Sequence, residues 1–305
     1  MKNKLISVIV VCYNSEYDKL IKTINSIINQ KNVNYEIIIA DDGSRVQYKE
    51  ELLKYFHSVK FDKVKYCFSE KNVGTVKNIL SALYLSSGKY VKTISPGDYL
   101  YDEHALENYL EVFTEKDADV VFGRAQYFSP SGELLKGAAP ANNLVYRNHG
   151  IKKSILLYGD FILGASIASK TDVEIYYLEK VKDKIKYLED IPLTVFGLLD
   201  GIKIKATNKK LIWYEHGEGI STDKNRSPLL EPDYQALYKE MLLENPKIAK
   251  KHIKFSKAFK ISNPFIRFVK KVTVSPSYLF YKIASVVIGK KQKTDDIQKM
   301  YEIIK

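Results

Sequence analysis

The stretch Leu5–Cys12, LISVIVVC, decides the fold. A continuous apolar run rich in Val and Ile reads as a strand buried on both faces. The segment after it, 16–30, spaces Leu20, Ile21, Ile24, Ile27 and Ile28 as one helical face. A second apolar run, YEIIIA (35–40), ends in Asp41-Asp42-Gly43-Ser44, a turn composition. The alternation continues with a helix over 47–57, a strand over 63–68, a helix over 73–87 closed by Gly88, and a strand over 89–94. Strands alternating with helices build right-handed βαβ units and a mostly parallel sheet. Ligands of such sheets bind beyond the carboxyl ends of the strands. Here those ends carry Tyr13-Asn14, Asp41-Asp42 and Ser95-Pro96-Gly97-Asp98.

Further along, a helix is expected over about 103–114 and an apolar strand over 118–128. Residues 129–150, rich in Gly, Pro, Ala and Asn, read as a long loop of the kind that carries function. Tyr187-Leu188-Glu189-Asp190 leads into an apolar helical stretch. Two short strands, 202–206 and 210–214, feed a Gly-containing turn from His216 to Thr222.

The chain has 305 residues and a formal net charge of +12. That length fits one large domain, or a domain with an appendage. The charge is not spread evenly. Residues 245–294 contain no acid and thirteen Lys or Arg, so the first 244 residues are neutral. The expected division is a catalytic domain over 1–244 and a basic, aromatic-rich helical segment over 245–305, with Pro246 at the boundary. Two cysteines, Cys12 and Cys67, exclude a disulfide framework and a four-cysteine zinc site. Both lie in apolar strands and read as core. Trp213, the single tryptophan, also reads as core. The first residues lack the apolar core of a secretory signal, and no apolar run reaches the roughly 18 residues that span a bilayer. A cytoplasmic chain is expected.

Each polar cluster has a plain reading beside a chemical one. Asp41 or Asp42 can accept hydrogen bonds from a nucleobase or a ribose, or can shape an Asp-Gly turn. Asp98, lifted by Pro-Gly, can reach a divalent cation, or can cap a helix. Glu189-Asp190 can supply a general base whose pKa is raised by repulsion, or can satisfy a helix dipole. His216 and the glycines after it can contact a metal or a diphosphate, or form a surface turn. There is no G-x-G-x-x-G fingerprint and no phosphate-loop lysine motif.

The order and spacing of these clusters resemble the family 2 glycosyltransferases, inverting enzymes with a GT-A fold. The resemblance rests on Ser7–Asn14, Ile37–Ser44, Asn72-Val73-Gly74, Ser95–Asp98, Glu189-Asp190 and the stretch from His216 to Thr222. It covers about residues 4–222. It implies an α/β GT-A fold and a hexosyltransferase that takes a nucleotide sugar, expected to be a UDP-sugar. The implied acceptor is a glycan or lipid-linked hydroxyl in bacterial surface-polysaccharide synthesis. Carried over by the resemblance, Asp190 is the base with Glu189 supporting it. Tyr13, Asn14, Asp41, Asp42, Gly74, Asp98 and Ser221 line the donor. Asp98 and His216 face a Mn²⁺ or Mg²⁺ ion. One position departs from the family: the first Asp of its Asp-x-Asp motif is Ser95 or Gly97 here. That leaves a GT-A scaffold of weak or no activity, or another nucleotide-dependent α/β transferase, as alternatives. Residues 247–293 mix cations with aromatic anchors, which reads as attachment to an anionic membrane on its inner face. The other reading of that segment is a packing or self-association appendage. No nucleic-acid module is present.

Overall fold

The computed structural model describes residues 5–135, 150–158, 162–220, 227–259, 261–288 and 295–305. The first half alternates as the apolar runs require: β1 (Leu5–Cys12), α1 (Tyr17–Ile28), β2 (Asn34–Asp41), α2 (Lys49–Ser58), β3 (Val64–Phe68), α3 (Thr75–Leu85) and β4 (Tyr90–Ile94). Then come β5 (Tyr99–Leu100), α4 (Ala105–Glu115), β6 (Val120–Phe128), β7 (Leu134–Leu135), α5 (Ile151–Tyr158), β8 (Ile167–Lys170), α6 (Thr171–Val181), α7 (Asp190–Asp200) and β9 (Ile204–Glu215). The described chain closes with α8 (Glu231–Glu244), α9 (Pro246–Phe259), α10 (Pro264–Val274), α11 (Ser277–Ile288) and α12 (Gln298–Ile303).

The strands form one sheet in the order β3-β2-β1-β4-β8-β6-β9-β5, with β7 paired to β6. The long ladders are parallel: β1 with β2 and β4, β2 with β3, and β6 with β9. The antiparallel pairings of β5, β7 and β8 are two or three residues long. The sheet is therefore mostly parallel, as the alternation implied. Its two faces are covered by separate apolar layers. Ile6, Val8 and Val10 of β1 pack with Leu20, Ile24 and Ile27 of α1 and with Leu106 and Tyr109 of α4. Ile9 faces the other way, among Val76 and Ile79 of α3, Leu178 of α6 and Phe196 of α7. Met241 of α8 and Ala249 of α9 belong to this second layer.

One polar residue sits inside β1. Ser7 is fully buried; its Oγ donates to Glu36 Oε1 at 2.7 Å and accepts the Gly88 N–H at 2.9 Å. Glu36 also pairs with Lys65 at 2.8 Å. Burial works to raise the Glu36 carboxyl, but Lys65, Ser7 and the Ser87 N–H together hold it below its usual range.

The structure corrects the sequence reading in several places, and two short strands were not expected: β5, and β7, which lies inside the expected loop over 129–150. The two strands expected over 202–206 and 210–214 are one strand, β9. It pairs with β6 along its length, and a register shift opposite Phe122–Arg124 absorbs the polar residues between the two apolar runs. Residues 151–184, to which no element was assigned, form α5, β8 and α6; β8 is only four residues, too short to show a period. Cys67 is half-buried rather than buried.

The last residues fold back on the sheet. Met300, Ile303 and Ile304 pack on Tyr99, Phe128 and Trp213. Asn25 Nδ2 donates to the Ile304 carbonyl and Asn29 Nδ2 to the Ile303 carbonyl, each at 2.9 Å. Trp213 is fully buried, and its indole N–H donates to the Tyr101 carbonyl at 2.9 Å. Met300→Ala should cost about 2–5 kcal/mol in urea denaturation. It should also shift the emission of Trp213 to the red. An unchanged midpoint with unchanged emission would refute this packing.

Candidate active site

The residues at the carboxyl ends of β1 and β2 form one linked turn. Asp41, the last residue of β2, accepts the Ser44 N–H at 2.8 Å and the Ser44 hydroxyl at 2.7 Å. Ser44 Oγ in turn accepts the Asn14 N–H at 2.7 Å, and Asn14 Oδ1 accepts the Arg45 N–H at 2.9 Å. A shallow recess beside this turn is lined by Cys12, Ser15, Asp41, Ser44, Tyr48 and Phe68. Tyr13, next in sequence to Cys12, is 52% exposed. Asp42 points elsewhere: it accepts the N–H groups of Val73 and Gly74 at 2.7 and 3.0 Å. Burial raises its carboxyl despite those bonds. Gly74 has φ +93° and lies against Lys186, whose Cγ would be 2.3 Å from any Cβ there. A side chain at 74 would push away the segment that leads to Glu189.

Asp98 lies where β4 turns into β5. Its N–H closes the turn on the Ser95 carbonyl at 3.0 Å, and its Oδ1 accepts the Glu215 N–H at 3.0 Å. Thr23 of α1 fixes the turn from beneath, donating to the Asp98 carbonyl and accepting from Gly97 N–H. Glu215 is itself buried and pairs with Lys19 through both oxygens, at 2.9 and 2.8 Å. Lys92, fully buried in β4, donates to the Ala165 carbonyl at 2.8 Å and to the Thr93 carbonyl. Burial pushes Asp98 up to about 7, and Lys92 and Lys19 only partly oppose it. Burial pulls Lys92 down to about 8.

These residues fit a hard divalent cation in part. Asp98 Oδ2 has no hydrogen bond among the described residues, and a desolvated carboxylate gains from a nearby positive charge. Glu215 is taken up by Lys19. His216 follows it, exposed, with its ring stacked on Tyr127. Among the described residues no three His, Cys, Asp or Glu are grouped as a metal cage. A cation here would take most of its oxygens from substrate and water, as Mg²⁺ commonly does.

Glu189 and Asp190 open α7. Burial raises both carboxyls, and at Glu189 the neighbouring Asp190, Glu174 and Asp233 raise it further. The segment before them is held by a residue that the sequence showed only as the start of a helix. Asp233, buried in the first turn of α8, accepts the N–H groups of Lys186, Tyr187 and Leu188 at 3.0, 2.6 and 3.1 Å. Gly164 lies under Asp190: a Cβ there would be 2.5 Å from Asp190 Oδ2. The next residue, Ala165, is the one Lys92 holds. Lys92 also acts on Glu174, which burial pushes up to about 7 and which accepts the Ser169 hydroxyl.

The structure therefore places two acid clusters on one framework. Asp98 and Glu215 form one and Glu189 and Asp190 the other; Lys92 and the Gly164–Ser166 turn lie between them. Tyr13, Asn14 and Asp41 share the turn at the ends of β1 and β2. Asp42 and Gly74 bond to each other at the start of α3. Ser221 lies outside the described residues, as do 136–149 of the expected loop. Lys92, Glu215, Gly164 and Asp233 were not singled out from sequence. The one visible signal among them was a lysine inside the apolar strand YVKTI.

The sequence profile described as Glycosyl transferase family 2 matches residues 7–163. An uncharacterized glycosyltransferase of Methanocaldococcus jannaschii is 25% identical over 153 residues, covering 50% of this chain and 51% of that protein. The chain thus spans about half the length of that relative. An Escherichia coli protein, UDP-Glc:alpha-D-GlcNAc-diphosphoundecaprenol beta-1,3-glucosyltransferase WfaP, is 25% identical over 230 residues, 72% of this chain and 81% of that one. Among solved structures, S. aureus TarS in complex with UDP-GlcNAc superposes with a TM-score of 0.58 at 18% identity, covering 100% of this chain and 90% of that one. That likeness gives the fold, GT-A. With the family profile spanning half its length, the chain belongs to glycosyl transferase family 2.

Proposed function

We propose that this chain moves a hexose from a UDP-sugar to a hydroxyl of a lipid-linked glycan, with inversion at the anomeric carbon, in the synthesis of a bacterial surface polysaccharide. The observation that carries the reading is the pair of separate acid clusters, Asp98–Glu215 and Glu189–Asp190, on one framework. A displacement at an anomeric carbon needs charge neutralised at the leaving group and a proton removed from the nucleophile. The two clusters suit those two tasks. The relation to WfaP, whose name specifies UDP-Glc and a diphosphoundecaprenol-linked acceptor, supports the donor and acceptor classes. The same reading places the chain at the cytoplasmic face of the membrane.

In this scheme the recess beside Asp41 takes the nucleoside together with the exposed Tyr13, and Ser44, itself held by Asn14, keeps Asp41 oriented. Asp98 takes the diphosphate side together with His216. A Mn²⁺ or Mg²⁺ ion held by them would neutralise charge on the departing UDP. Asp190 accepts the proton of the acceptor hydroxyl. The acceptor oxygen forms its bond to the anomeric carbon as the bond to the diphosphate breaks, and that electron pair leaves with the phosphate oxygen. Glu189 raises the basicity of the pair, and Asp233 holds both in place.

Asp190→Asn should lower turnover about 10²–10⁴-fold while UDP binding, followed by calorimetry, stays within about twofold of the parent. Lost UDP binding would move Asp190 to the donor site. Because an ionised base is needed and burial raises the pair, activity should fall as pH drops through a midpoint above the ordinary carboxylate range of about 4. A limb at about 4, at saturating cation, would count against a buried base. Asp98→Asn should raise the Mn²⁺ concentration needed for half-maximal UDP-sugar turnover by at least about tenfold. An unchanged requirement would show that the cation binds elsewhere.

A further inference from the structure

The catalytic scheme leaves unused the basic helices α9 to α11. On α9, Lys247, Lys250, Lys251, Lys254 and Lys257 recur at intervals of three and four residues and fall on one face. All five are exposed, and none pairs with an acid among the described residues. The neighbouring side of α9 is packed, through Ala249, His252, Phe255 and Ala258. The helices that follow have apolar residues on two sides. Phe268 and Val272 of α10 and Tyr278 of α11 turn inward, against Phe255 and Tyr158. Phe265 and Phe280 turn outward, each 73% exposed, with Ile266, Val269 and Ile283 also exposed.

The inner side is firmly seated. Tyr158 and Ser277 share a hydrogen bond at 2.6 Å. Lys271 is buried, its ammonium 5.2 Å from the Phe255 ring and 5.5 Å from the Tyr278 ring. The outward Phe and Ile side chains are therefore not loose core residues awaiting a better packing. They project from a seated arm that continues the helix bearing the lysine stripe. Nucleic acid would match the lysines but gains little from exposed aliphatic side chains. A second copy of this chain would bring a like-charged stripe against the first. An anionic bilayer matches both features, since its headgroups attract the lysines and its acyl boundary takes the Phe and Ile side chains. No described helix is long and apolar enough to cross a membrane, so the contact is with the surface.

We infer that α9, α10 and α11 form a docking surface for an anionic lipid bilayer, with Phe265 and Phe280 as inserted anchors and the α9 lysines as the electrostatic contact. The inference deepens the proposed function, on which its acceptor side rests. The arm is seated on Tyr158 of α5, and six residues later Gly164 touches Asp190. Docking by this arm would tie the bilayer, and an acceptor embedded in it, to the element that supports the base.

The test is flotation of the full chain with phosphatidylglycerol-containing vesicles and with pure phosphatidylcholine vesicles. The chain should float with the anionic vesicles and release as salt rises. Phe265→Ser with Phe280→Ser should weaken binding at least about tenfold with the charge intact. Lys250→Glu with Lys254→Glu should weaken it at least about tenfold with the anchors intact. Both double variants should keep the parent thermal midpoint and UDP-sugar hydrolysis in free solution. Failure to float, equal binding to both vesicle types, or unchanged binding by the Phe variant overturns the inference. So does a dimer in sedimentation that the Phe variant abolishes, or an RNA complex that it leaves intact. Lost UDP-sugar turnover with normal flotation would sink the proposed reaction and leave the docking surface standing.

Discussion

A parallel sheet buried on both faces leaves polar chemistry only one place to go, the ends of its strands. β1 and β2 carry apolar layers on either side, so a charged residue within them must be matched, as Glu36 is by Ser7 and Lys65. Among the candidate acids, Asp41, Asp98 and Glu215 gather where strands stop, while Glu189 and Asp190 open a helix. Asp41 is opposite Cys12 at the last rung of the β1–β2 ladder. Glu215, the last residue of β9, lends its N–H to Asp98. The positions of these groups are thus consequences of strand register, and a slip of one residue would turn every one of them to the wrong face.

The acids are held mainly by backbone N–H groups. Asp42 takes two, Asp233 takes three and Asp98 takes one. Such donors are fixed by the fold and need no rearrangement when charge changes, which suits a site built to stabilise charge that appears only during reaction. The two lysines closest to the chemistry do different work. Lys19 neutralises Glu215 directly, whereas Lys92, with its two carbonyl contacts, places a buried positive charge between Asp98 and Glu174. Around Glu189 the neighbouring groups are acids, and that is the environment in which a carboxylate becomes a better base.

The first half of the fold was legible because its apolar runs are long and its strands are buried on both faces. The second half was less so. β8 and β5 are short, and their place in the sheet depends on partners far away in sequence. β9 looked like two strands because its middle is polar, and only pairing with β6 keeps it continuous. The candidate acids were visible as clusters at strand ends and, for Glu189-Asp190, at the start of an apolar helix. Their supports were not, because Asp233 and Glu215 look like ordinary helix-start and strand-end residues until the chain folds. Lys92 was visible as an anomaly but had no assignable partner, since Ala165 offers only a backbone carbonyl.

The three-amide grip of Asp233 also says something about inheritance. The family profile ends at residue 163, while Asp190, Glu215 and Asp233 all lie beyond it. In the proposed scheme the matched stretch supplies the turn at Asp41 and also Asp98, while the later sequence adds Asp190, Glu215 and His216. On that scheme, changes confined to the segment around Asp190 and Asp233 would alter the acceptor side and leave the turn at Asp41 and Ser44 untouched. Such changes would still have to keep Asp190 itself and the acid in the first turn of α8 that grips the segment before it.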